Sequence, residues 1–155
     1  MTTKTLKNGD TIQLVRISPI SWNPEAAEYL KIVVDRTAKL GFCSPKTSWD
    51  DNKVGAVVMK KDGKLIGILA YKNQPLTGDE NQKILQILIG GVDDEYQKHG
   101  AYRVLHKELE NLAKENGYNG ILSYVRTKNK NMMNTLKSLG KEIITVTCYK
   151  KLDDE

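Results

Sequence analysis

The sequence lacks what marks several large protein classes. No apolar run approaches the length of a membrane span. The opening MTTKTLKNGD has no apolar core of a secretory signal. Cysteine is scarce: Cys43 and Cys148 lie far apart, without metal-ligand spacing, and are expected to be free thiols in a reducing compartment. The cytoplasm is therefore the expected location, with neither metal nor membrane as a partner. There is no zinc-finger spacing, aromatic RNA-binding motif, internal repeat or low-complexity segment.

What is present is ordinary for a globular chain. Its 155 residues, 39% hydrophobic and 28% charged, suffice for one domain with a real core. The formal net charge is +5. Part of the basic excess is local, since Arg126, Lys128, Lys130, Lys137 and Lys141 follow one another with no acidic residue between them. Such a run is most often a solvated face. A contact to a phosphorylated cofactor or to nucleic acid is the functional alternative, the second without motif support.

Periodicity lays out the elements. Thr11 to Ile17 alternates as a half-buried strand. Residues 18–23 form a loop, and Asn23 caps a helix with Pro24 at its first position, ending near Leu40 before Gly41. Leu30, Val33, Val34 and Thr37 share one face of it. Residues 42–53 are irregular. Trp22 and Trp49 flank the helix and are read as core or rim packing, with a substrate-pocket wall as the alternative. Residues 54–60 and 64–73 form a hairpin around Asp62-Gly63. Residues 74–81, with Pro75 and Gly78, read as a loop. Residues 83–92 are too continuously apolar for a solvated strand and belong at the sheet centre. Gly90 and Gly91 inside that strand mark a bulge or a close approach.

A helix after Gly100 turns Leu105, Leu109, Leu112 and Ala113 inward and ends at Asn116-Gly117. Residues 120–125 form a short strand. Residues 129–139 form a helix with Met132, Met133, Leu136 and Leu139 inward. Residues 142–152 form a final strand, and residues 153–155 a frayed tail. The order, with hairpins and crossovers together, implies a mixed α/β sheet with helices on its faces.

The most informative stretch is residues 88–105, LIGGVDDEYQKHGAYRVL. A strand, a glycine-bearing loop and a helix start follow in succession. The first turn of a helix has N–H groups without intrahelical acceptors, and its dipole favours an anion, so this arrangement suits a phosphate.

Val92 and Gln97-Lys98-His99-Gly100-Ala101-Tyr102 resemble the [RQ]-x-x-G-x-[GA] signature of the GNAT superfamily of N-acetyltransferases. Tyr102 is a departure, standing where the family usually has Gly or Ala. Val125-x-x-x-Asn129 and the later Leu139-Gly140 resemble a second family segment at the same spacing, with Lys141 in place of its usual Phe. The element order matches as well. The resemblance covers roughly residues 10–152 and implies a mostly antiparallel sheet of about six or seven strands with helices on both faces.

It also implies a site. Backbone N–H groups from Gln97, Lys98, His99, Gly100, Ala101 and Tyr102 would hold the pyrophosphate of acetyl-CoA, with charge from Lys98, His99 and Arg103. Gly90, Gly91 and Val92 would pair with the pantetheine arm as an extra strand, and the Gly90 N–H would polarise the thioester carbonyl. Asn129 would lie near the pantetheine, or simply cap its helix. Acid–base groups usual in the family are replaced by Gln86 and Leu136, neither able to transfer a proton; Tyr124, at a position that supplies a glutamate in some members, is the candidate general acid, and a water relayed by backbone carbonyls is the alternative for the base. Asp93, Asp94 and Glu95 are expected at the solvated loop surface, and His106 is expected to be structural.

The resulting expectation is acetyl transfer from acetyl-CoA to a primary amine by direct attack in a ternary complex, by a monomer or homodimer. An acyl-CoA-binding or protein-interaction module without catalysis is the alternative, and a nucleic-acid-binding module a third.

Overall fold

The structure is a computed structural model and describes residues 1–45, 49–73, 82–144 and 146–152. Its elements are β1 (Thr2–Thr5), β2 (Thr11–Ile17), α1 (Pro24–Lys39), β3 (Gly55–Lys61), β4 (Lys64–Asn73), β5 (Ile84–Val92), α2 (Ala101–Glu115), β6 (Gly120–Ser123) and α3 (Lys130–Ser138). The six strands form one sheet in sequence order. All pairs are antiparallel except β5 with β6, which is parallel because α2 carries the chain across.

Each face of the sheet carries a helix. Val33 and Val34 of α1 pack with Ala56, Val58, Ile68 and Ala70. Leu105, Leu109 and Leu112 of α2 pack on the other face with Leu14, Val57, Met59 and Leu69. Alternation along β3 therefore feeds two cores, which is why its sequence is apolar throughout. Asn23 caps α1 by accepting from the Ala26 N–H at 3.0 Å. In the β3–β4 turn both Asp62 (φ 51°) and Gly63 (φ 78°) are left-handed, as a two-residue hairpin of the favoured twist requires. Arg16 of β2 reaches Glu108 at 2.8 Å and also binds Glu115, tying the strand to α2.

Two strands carry a bulge. In β4 the register skips Ile66. In β5 it passes from Ala70↔Ile89 to Tyr71↔Ile87, so Leu88 is the extra residue. Leu85 and Ile87 face α2, whereas Leu88 and Ile89 both pack toward the α1 side. The extra residue reverses the facing of everything after it.

Several expectations need correction. Residues 142–152 do not form a strand: their described residues have no regular structure and lie exposed. The pattern of a half-buried strand is present, but no neighbouring strand pairs with it here. The short polar β1 was not anticipated. In α3 only Leu136 is buried, while Met132, Met133 and Leu139 are partly exposed. Trp22 is exposed, whereas Trp49 packs on the α1-side core. Residues 74–81, read as a loop, and the tail 153–155 lie outside the described residues.

Candidate active site

The parallel β5–β6 ladder ends at Ile87↔Ser123. β5 continues from Leu88 to Val92 with β4 on one side and, among the described residues, no strand on the other. β5 thus runs on past the end of β6, with a partly exposed strand edge on that side. Such an edge offers N–H and C=O groups to an extended ligand, as it would to an added strand.

Gly90 and Gly91 have no room for side chains. A Cβ on Gly90 would approach Leu69 Cδ1 at 2.7 Å and Tyr102 Cε2 at 2.9 Å, and one on Gly91 would meet Val33 Cγ1 at 2.6 Å. The strand end is therefore clasped between α2 and α1. The close approach expected at these glycines is present, while the bulge falls two residues before them, at Leu88.

Beyond Val92 the chain makes a turn of 3-10 helix, Asp94–Tyr96, and reaches Gly100 (φ +82°) at the N-cap of α2. Lys98 is also left-handed, at φ 65°. Gly100 has no side chain to cap the helix. The N–H groups of Gly100, Ala101, Tyr102 and Arg103 find no acceptor among the described residues. They border a hollow of about 250 Å³ lined by Lys7, Val92, Tyr96, Gln97, Lys98, Gly100, Ala101, Tyr102, Arg103 and Thr135. Free helix N–H groups beside three cations make this hollow suited to an anion.

The loop is anchored by contacts that reassign some of its residues. Gln97 donates its backbone N–H to Asp94 O at 3.2 Å and its side-chain amide to Val92 O at 3.0 Å. Its N–H is thus already used, and Gln97 shapes the loop from within. Asp93 is not a solvated carboxylate as expected. It accepts from the Tyr29 hydroxyl at 2.7 Å and lies 3.6 Å from Arg36, binding the loop to α1. Burial, then this carboxylate, pushes the Tyr29 phenol well above its ordinary range. Burial alone pushes the Tyr102 phenol up to about 12, so it stays neutral.

Lys7 was missed by the sequence reading. It lies on the β1–β2 connection, donates its N–H to His99 O at 3.2 Å, and carries its side chain over Gly100. No local signal at residue 7 could have identified a partner more than ninety positions away. Of the expected cations, Arg103 is held by Ser138 of α3, while Lys98 is exposed at the rim.

Ala101, Tyr102, Gln97, Lys98, Gly100 and Val92 are thus brought together, and His99 joins them through its carbonyl. Gly90 and Gly91 lie upstream on the same strand. Asn129 and Tyr124 do not line the hollow. Asn129 accepts from the Met132 N–H at 3.2 Å and caps α3. Tyr124 follows β6 where the sheet opens and is exposed. Gln86 pairs with Leu122 across the ladder, and Leu136 is buried.

In the basic run Arg126, Lys128, Lys130 and Lys137 are exposed, as expected of a solvated face, and only Lys141 is partly buried. Arg126 donates to Gly41 O at 2.9 Å, the Lys128 ammonium lies close to Gly41, and Lys141 donates to Ser123 Oγ. Among the described residues no cluster could hold a metal ion, and no helix is long and apolar enough to cross a membrane.

The strand edge beyond the last β6 pair thus leads into a helix N-terminus with free N–H groups. The sequence model of the acetyltransferase (GNAT) family matches residues 14–140, and the chain belongs to that family. No curated protein sequence matches. Solved structures share the fold at low identity. An aminoglycoside acetyltransferase, meta-AAC0020 from an uncultured soil metagenomic sample, in complex with sisomicin, is 15% identical with a TM-score of 0.67, covering 92% of this chain and 97% of its own. Aminoglycoside N-acetyltransferase AAC(6')-Iy in complex with CoA is 12% identical, TM-score 0.65, with 92% and 100% covered. The ribosomal-protein-alanine N-acetyltransferase of Brucella melitensis biovar Abortus 2308 is 13% identical, TM-score 0.65, with 91% and 99% covered.

Proposed function

We propose that the chain, as one acyltransferase domain, moves an acetyl group from acetyl-CoA to a primary amine by direct attack in a ternary complex. The observation that carries this reading is the five-residue stretch of β5 beyond its last β6 pair, which runs directly into the unpaired N–H groups of α2. The pantetheine arm pairs with Gly90 to Val92. The pyrophosphate takes the N–H groups around Gly100, with Lys7 and Lys98 supplying charge.

The amine nitrogen attacks the thioester carbonyl carbon, the C–S bond breaks, and CoA leaves as a thiolate. The Gly90 N–H faces the charge that develops on the carbonyl oxygen. The ammonium must first lose a proton, taken by water held on the backbone carbonyls of the free β5 edge. Tyr124, at the mouth of the opening, gives a proton to the thiolate and is reprotonated through solvent as the nitrogen sheds its second proton to form the amide. Positioning supplies much of the rate gain. The acceptor is a small amine or a protein amine, as the names of the structural neighbours illustrate.

A second reading has one observation in its favour. Leu136 is buried and Gln86 lies within the ladder, so neither position common to the family's acid–base groups can transfer a proton. On that reading the domain holds an acyl-CoA without turning it over.

The test is calorimetric titration with acetyl-CoA of the native protein and of Gly100→Asp. Asp would put a carboxylate at the anion site on a backbone of φ +82°. Micromolar affinity in the native protein, lost in a still-folded variant, supports the cofactor site. Turnover across a panel of amines then supports transfer, and binding without turnover supports the second reading. Absence of binding by the native protein rejects both.

A further inference from the structure

A hydroxyl without a protein partner stands beside the strand end that the proposed function assigns to the thioester. Tyr102, in the first turn of α2, is partly buried against the α2-side core, and its ring lies over Gly90. Cε2, which a Cβ on Gly90 would approach at 2.9 Å, is bonded to the ring carbon that carries the hydroxyl.

A tyrosine covered in this way usually has an acceptor for its O–H. Tyr29 has Asp93. Tyr102 makes no hydrogen bond through its hydroxyl among the described residues, and burial alone acts on its phenol. Nor is its oxygen sealed away. Among the described residues the closed-off, unpaired side-chain atoms are Ser21 Oγ and the two His106 nitrogens. Tyr102 instead borders the hollow at the start of α2, together with Thr135 of α3. Its backbone N–H is one of the free donors of that turn, while its ring reaches back to Gly90. One residue thus spans from the proposed pyrophosphate turn to the strand end proposed for the thioester.

We infer that the Tyr102 hydroxyl is a catalytic residue that donates a hydrogen bond to the sulfur of acetyl-CoA as the C–S bond breaks. The inference rests on the transfer reaction proposed above. The electron pair of the C–S bond moves onto sulfur, where the charge meets the O–H, while the Gly90 N–H serves the carbonyl oxygen. Tyr102 keeps its proton throughout. Its phenol, pushed up to about 12, is a weaker acid than an alkyl thiol at about 8.5. It is a donor and not the acid, and the proton that ends on sulfur comes from Tyr124. A bond that forms as charge gathers on sulfur favours the transition state over the bound thioester.

Tyr102→Phe tests this and spares the fold, because it keeps the ring over Gly90 and removes an oxygen that no described residue binds. With saturating amine, kcat should fall about ten- to hundredfold, the scale of one hydrogen bond to a charge, with KM for acetyl-CoA nearly unchanged. A second readout is independent of turnover. The thiol of bound CoA is titrated by its thiolate absorbance, with the CoA analogue lacking sulfur as the blank. It should ionise about one pH unit lower in the native protein than in the variant, since a donor to the anion lowers the pKa. An unshifted thiol, whatever the rates, overturns the inference and leaves the proposed function standing. Weaker acetyl-CoA binding at unchanged kcat would put the hydroxyl on the pantetheine arm and overturn it as well. Failure of the native protein to bind CoA would reject the proposed function, and this inference with it.

Discussion

The ring of Tyr102 lies against the bare backbone of Gly90, so close that a single Cβ there would come within 2.9 Å of Cε2. The aromatic residue at a position where the family usually carries Gly or Ala is thus accommodated by the strand end it covers. Gly90→Ala is expected to destabilise the protein by about 1–3 kcal/mol, the range for overpacking. In urea unfolding, adding Tyr102→Ala should recover part of that cost, because the ring is one of the two obstacles. Strict additivity of the two changes would show that they do not share the space.

Tyr29 and Asp93 make a second prediction about the same loop. Tyr29 is largely buried and its hydroxyl has Asp93 as acceptor at 2.7 Å. Asp93→Ala leaves that hydroxyl unpaired and should cost about 1–3 kcal/mol, whereas Asp93→Asn keeps an acceptor and should cost less. On the proposed function, acetyl-CoA affinity should fall in the same order, since this contact holds the loop to α1. A loop that binds acetyl-CoA equally well in Asp93→Ala would deny Asp93 an anchoring role.

The contrast between these pairs shows what could be read from residues alone. Gly100, the Asp62-Gly63 turn and the stripe on α2 carry local chemistry, and each lies where its chemistry required. A bulge in this strand was expected at Gly90 and Gly91; its position at Leu88 was not legible because both sheet faces are apolar there, which erases the alternation that would reveal a slip. Asp93 stands in a run of acids that looks solvated, and its partner Tyr29 is distant in sequence. Residues 142–152 alternate as a strand does, but alternation describes a surface waiting to be half buried. It does not supply a neighbouring strand, and none pairs with the described residues of this stretch.

Lys7 extends over Gly100 from a connection between two edge strands. If it contributes charge to the pyrophosphate, Lys7→Ala should weaken acetyl-CoA binding about two- to fivefold, the scale of one exposed charge contact. Lys7→Arg should retain most of the affinity. The loss should shrink at high salt, because exposed charges are screened. An affinity unchanged at low salt would remove Lys7 from the site.

Asn129 separates capping from ligand contact. Its side chain accepts from Met132 N–H, so Asn129→Ala should cost about 1 kcal/mol of stability, and Asn129→Ser should be nearly silent. If Asn129 also contacts the pantetheine, Asn129→Ser will weaken acetyl-CoA binding without destabilising the fold. Equal affinity in a stable Asn129→Ser protein assigns the residue to the cap alone.

His106 predicts the pH dependence of stability. Its imidazole is held down to about 4, chiefly by burial and then by the Lys141 charge, with Glu110 opposing. Glu110 lies 3.7 Å from Nδ1 and the Tyr102 ring centroid 6.4 Å away. An unfolded histidine takes up its proton near 6.5, so between pH 6.5 and 4 the unfolded chain binds more protons than the native one. Stability from this group is therefore complete above pH 6.5 and lost as pH falls toward 4, by roughly 3 kcal/mol. Lys141, lowered by burial to about 8, has a separate window: its contribution grows as pH rises from about 8 toward 10.5. Urea unfolding at a series of pH values should show a shallower acid slope in His106→Leu than in the native protein, with the alkaline limb unchanged. The carboxylates contribute to both proteins alike, so the difference isolates the imidazole. Parallel slopes through the acid window would mean that His106 takes its proton without cost, and that the wall between α2 and β6 is open to water.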